Sequence, residues 1–158
     1  MFKTMENKGK EKEPRSKARA LRPGELMIGD LVWSELTARY AKVVALDEGS
    51  ATVGTISRAF MVPADDVRAV EITGEVLMAM GLKESGFAEG QYYTGTPVEV
   101  TVEMFHDGKW LVNIYDDETA KTMEGLEVRY VHELQHALRV MGVEVKVAGE
   151  LCEVLNQL

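Results

Sequence analysis

The chain has 158 residues, a single cysteine (Cys152) and a formal net charge of -8. That length is enough for one domain, or two very small ones, to bury a core without help from metal or disulfide. One cysteine excludes an internal bridge and a cysteine-built structural zinc cluster, so a reducing cytoplasm is the expected location. The apolar runs are short and the first residues form no apolar signal core, so neither membrane spanning nor export is expected.

The charge is unevenly placed. Residues 1–22 hold eight Lys/Arg and three Glu, which leaves ten Lys/Arg against 23 Asp/Glu in the remainder. The 1–22 segment has little apolar surface to offset ordering entropy and reads as a disordered basic tail. The tail reads as a solubilising extension, and nucleic-acid binding is not expected except through it, because the acidic remainder would repel a phosphate backbone.

From Gly24 to Thr73 the pattern is of short strands and turns. Leu31-Val32-Trp33 follows Gly29-Asp30, Tyr40 to Leu46 is rich in strand formers, Asp47-Glu48-Gly49-Ser50 is turn chemistry, and Ala51 to Ile56 resumes the strand. Ala59-Phe60-Met61-Val62 ends at Pro63, Asp65-Asp66 turns the chain, and Val67 to Ile72 forms the last strand. Five strands in so short a span, with a turn before the last, predict an SH3-like small barrel over 24–73.

Residues 74–158 read as a helix, a β-hairpin and C-terminal helices packed on that barrel. Thr73 is placed as an N-cap for Glu75 to Met80, with Gly81 at the C-cap. Gly86 to Gly95 reads as a loop. Val98, Val100, Val102 and Met104 alternate with Glu99, Thr101 and Glu103, and Asp107-Gly108 turns this strand into Lys109 to Tyr115. A helix is expected from about Tyr130, then a return through Val143 to Val147, then a terminal helix with Leu151, Val154, Leu155 and Leu158 on one face. The fold class is therefore α+β.

Three segments, Glu25 to Val32, Ile72 to Leu82 and Arg129 to His136, resemble a family of small uncharacterised proteins of Bacteroidetes and their phages and prophages. Its members carry phrases of the type ELRIGNLV, LTEEWLLKFGF and YVHQLQN. The resemblance covers about residues 25 to 147 and implies a phage or mobile-element origin without implying an activity. Its phrase has Gln and Asn where this chain has Glu133 and His136.

The string His132-Glu133-Leu134-Gln135-His136 has the spacing of a zinc metallopeptidase motif, with two imidazoles one helical turn apart and a Glu to polarise a bound water. A third ligand would have to come from His106, Glu144, Glu150 or Glu153, none of them in a second motif. At ~100° per residue, Tyr130, Val131, Leu134, Ala137, Leu138 and Met141 share one stripe, while His132 and His136 fall on the opposite face with Arg139. The expectation is a buried leucine stripe and a solvated histidine face. Asp116-Asp117-Glu118 lacks the ligand alternation of an EF-hand and reads as a turn. Trp33, Tyr40, Tyr92, Tyr93 and Trp110 are candidates for a recognition surface or for core. The reading is a non-catalytic binding or accessory protein acting on a host protein or small ligand, without cofactor. Its alternative is a zinc peptidase built on His132, Glu133 and His136.

Overall fold

The computed structural model describes residues 25–55, 58–95, 98–143 and 148–157, with side chains described only from Leu151 onward in the last segment. The 1–22 tail, most of the expected return through Val147, and Leu158 lie outside the described residues.

Alternating small apolar residues and tight turns build the first sheet. Its strands are β1 (Leu31–Ser34), β2 (Arg39–Asp47), β3 (Ser50–Gly54), β4 (Ala59–Pro63) and, after a 3₁₀ turn at Ala64–Asp66, β5 (Val67–Arg68). They run antiparallel in the order β4-β3-β2-β1-β5. β4 and β5 do not pair with each other, so the sheet is open rather than closed. One face, with Val32, Ala41, Val43, Ala51, Val53, Val62 and Val67, encloses a small core of its own. Strand β5 is shorter than Val67 to Ile72 because the chain leaves the sheet there: Ile72 N–H donates to the Arg129 carbonyl and Val131 N–H to the Val70 carbonyl. Asp66 does more than turn the chain. Its carboxylate accepts from Ser34 Oγ and from the Leu36 N–H, both at 2.7 Å, and so ties the β1–β2 turn to the 3₁₀ turn.

Helix α1 (Gly74–Ala79) begins as expected, with Thr73 Oγ1 accepting from Val76 N–H at 3.2 Å. Gly74 is required by close approach, since a Cβ there would lie 2.1 Å from Tyr92 Oη.

The second sheet is an antiparallel meander in the order β10-β9-β8-β7-β6. Its strands are β6 (Lys83–Glu84), β7 (Gln91–Thr94), β8 (Val98–Met104), β9 (Trp110–Asp116) and β10 (Thr122–Val128). The hairpin at Asp107-Gly108 is as read from sequence, both residues having positive φ (54° and 75°). Three strands are additions to that reading, the two-residue β6 among them. β7 occupies the expected loop, and β10 escapes the alternation rule because the ladder shifts register between Met123 and Leu126, at Glu124-Gly125.

Helices α2 (Val131–Val140) and α3 (Ala148–Asn156) close the fold. Val100, Val102, Val112 and Ile114 of the second sheet, Leu77 of α1, Leu134 and Leu138 of α2, Leu151 and Leu155 of α3, and Leu31 and Tyr40 of the first sheet form one continuous core. Asn156 fixes α3 to β2 by accepting from Tyr40 N–H (2.9 Å) and donating to its carbonyl (3.0 Å). No described helix is long and apolar enough to cross a membrane.

Candidate functional site

Helix α2 brings the histidine string against the turn that precedes β1. The leucine stripe is where periodicity placed it, with Val131, Leu134 and Leu138 essentially inaccessible. The opposite face is not solvated. His132 is 3% exposed and Gln135 8% exposed, and the side chain of His136 is 28% exposed. The expectation fails because a helix wheel registers a single apolar neighbour, whereas α2 lies between the main core and the residue 27–31 turn and covers both.

Two members of the string, Gln135 and His136, make this contact. Gln135 Oε1 accepts from the Leu31 N–H at 2.8 Å and its Nε2 donates to the Gly29 carbonyl at 3.2 Å. His136 Nε2 lies 3.0 and 2.9 Å from the two carboxylate oxygens of Asp30, which is wholly buried. Asp30 also accepts from the Met27 N–H at 2.8 Å, closing its own turn, and Arg139 Nη2 stands 4.0 Å away. Arg139 further donates to the Ile28 carbonyl at 3.3 Å. The cation beside the histidines is thus turned towards the Asp30 carboxylate.

Glu133 caps its own helix: Oε1 accepts from the backbone N–H groups of Arg129 (3.0 Å) and Tyr130 (2.9 Å), satisfying donors the helix would otherwise leave open. Oε1 is therefore engaged in holding the start of the helix. His132 stacks on Tyr130, with ring centroids 6.0 Å apart and planes at 15°, and meets His136 edge-on at 5.6 Å. Its Nδ1 is buried without a hydrogen-bond partner.

The other candidates are dispersed. His106 is exposed at the hairpin turn, 3.2 Å from the Asp107 carboxylate, and Glu153 is half-buried on α3. Glu144 and the side chain of Glu150 lie outside the described residues. Among the described residues no three His, Cys, Asp or Glu side chains are placed to share a metal ion. Asp116 organises its turn by accepting from the Glu118 and Thr119 N–H groups, and the Thr119 hydroxyl holds its carboxyl below the usual range. Tyr92 and Trp110 are buried core. Tyr93 is exposed and, with fully exposed Phe87, lines a shallow groove of about 230 Å³ beside Ser85, Gln91 and Thr101. Asp30 and Gln135 were not singled out by sequence; Gly29-Asp30 is recognisable as a turn, but nothing local pairs it with α2.

The environment of His132 gives a pH dependence. Burial, the dominant influence, holds its pKa below the ordinary 6.5, with His136 adding to the effect and Asp30, Glu133 and Glu25 opposing it. As pH falls below 6.5 the unfolded chain takes up the proton first. Stability is therefore fully present above pH 6.5 and is lost below it, by at most about 1.4 kcal/mol per pH unit for this group. Urea denaturation from pH 7.5 to 5 should show the decline, and His132→Phe should flatten it; an unchanged slope in that variant would assign the effect to other groups.

Comparison of the chain with protein-family models, with curated proteins and with solved structures gave no match.

Proposed function

We propose that the chain is a non-catalytic binding or accessory protein of phage or mobile-element origin, acting on a host protein or a small ligand. The observation that carries this reading is the structural engagement of the histidine string: Glu133 caps α2, while Gln135 and His136 hold the turn before β1. A hydrolytic site needs a free base and open ligand positions, whereas Glu133 Oε1 and His136 Nε2 are bound to the protein itself. The groove beside Phe87 and Tyr93 is the surface offered to a ligand, since exposed aromatics are the side chains that anchor interfaces. The strand order of the first sheet, with a 3₁₀ turn before β5, supports reading that unit as an SH3-like barrel.

The test separates a cap from a catalytic base. Glu133→Gln keeps an oxygen acceptor for both N–H groups and should leave the melting temperature nearly unchanged. Glu133→Ala loses the cap and should cost about 0.5 to 2 kcal/mol. Protein purified without chelator is then assayed for zinc and for hydrolysis of an unfolded protein substrate. One retained zinc per chain, with hydrolysis abolished by Glu133→Gln, would replace the binding reading with the peptidase built on His132, Glu133 and His136.

A further inference from the structure

The two open sheets leave β4, β5, β6 and β10 as edges. Edge strands template association with other chains unless they are short, charged or bulged. Strands β5 and β6 have two residues each and carry Arg68, Lys83 and Glu84. Strand β10 carries Glu124 and Glu127 and a break in register. Strand β4, Ala59–Pro63, is protected only by its terminal Pro63: its sequence is uncharged and unbulged, Met61 is 75% exposed and Phe60 39% exposed.

The ladder fixes which backbone groups of β4 face outward. Thr55 N–H donates to the Arg58 carbonyl and Ala64 N–H to the Gly49 carbonyl, and between them Phe60 lies opposite Val53 and Val62 opposite Ala51. Hydrogen bonding alternates along an antiparallel strand, so Arg58, Phe60 and Val62 bond to β3 while Ala59, Met61 and Pro63 turn their backbone groups to the free edge. No described strand covers them.

We propose that this edge is a homodimer interface, in which β4 pairs antiparallel with β4 of a second copy about a two-fold axis at Met61. In that register the two Met61 residues exchange N–H and C=O, and each Ala59 N–H reaches the opposite Pro63 carbonyl. Proline lacks a donor, and the register asks nothing of it except at the Ala59 carbonyl, which lies at the strand end within reach of water. Every N–H on the edge thereby finds an acceptor. The same register sets Arg58 opposite Ala64 of the second copy, beside its Asp65. Both charged residues are exposed, so each end of the paired strands joins a cation to an anion, and the symmetry makes the contact self-complementary. A second copy satisfies the edge, its ends and its apolar side chains together, which is the basis for choosing it over an unrelated peptide added by strand augmentation.

Sedimentation of the full chain from low to high micromolar concentration should show a monomer–dimer equilibrium. Met61→Glu and Met61→Lys each place like charges at the axis and should raise the dissociation constant roughly tenfold or more, whereas an equimolar mixture of the two should recover a heterodimer. Because Cys152 is buried, Met61→Cys provides a second measure, and mild oxidation should give a disulfide-linked dimer even if a charged variant fails to fold. A wild-type chain that stays monomeric throughout, a dimer indifferent to both charged variants, or a Met61→Cys protein that does not cross-link would each overturn the proposal.

Discussion

Replacing Asp30 by alanine is expected to destabilise the chain by about 3 kcal/mol, the low end of the roughly 3 to 5 kcal/mol that removing one partner of a buried, hydrogen-bonded polar pair costs. The carboxylate is wholly inaccessible and accepts from Met27 N–H while both its oxygens face His136. The low end applies because its deletion leaves behind groups that water can reach: His136 is partly exposed and Arg139 more so. Against a total stability of roughly 5 to 15 kcal/mol for a domain, this loss would be plain in urea denaturation. Asp30→Asn should cost less, since its amide oxygen still accepts from Met27 N–H. His136→Ala leaves the carboxylate buried and short of its nearest side-chain partner, and the double variant should cost less than the two single losses combined, because both remove the same interaction. Strict additivity would show that Asp30 and His136 do not act as a pair.

That pair also marks where sequence reasoning stops. The hairpin at Asp107-Gly108, the Thr73 cap and the alternation from Val98 to Met104 are local, each being decided by residues within a turn or a strand of one another, and each is found as read. Asp30 and His136 are 106 residues apart, and their contact depends on how α2 packs across the first sheet. The helix wheel located Leu134 and Leu138 because burial against the main core leaves a 3.6-residue period. It misplaced His132 and His136, and passed over Gln135, because a second buried face made of polar side chains satisfying polar groups carries no apolar signature. Strand β10 was hidden for a related reason: its outer edge carries Glu124 and Glu127, and the register shift at Glu124-Gly125 breaks the two-residue alternation by which a strand is recognised.

Leu134→Ala should be among the most damaging single changes on α2. Leu134 is inaccessible and belongs to the core shared by the second sheet, α1, α2 and α3, so truncation removes its transfer free energy and leaves a cavity. The expected cost is about 2 to 5 kcal/mol, depending on how far neighbouring side chains relax into the space. Leu134→Met, which keeps most of the volume, should stay below about 1.5 kcal/mol. Val140→Ala on the same helix, at a position 76% exposed, should fall within about 0.5 kcal/mol of the parent chain. Equilibrium unfolding of the three variants in urea gives the comparison directly. The packing account requires the loss for Leu134→Ala to stand far above those for Leu134→Met and Val140→Ala; equal losses for Leu134→Ala and Val140→Ala would mean that α2 does not bury its leucine stripe in the shared core.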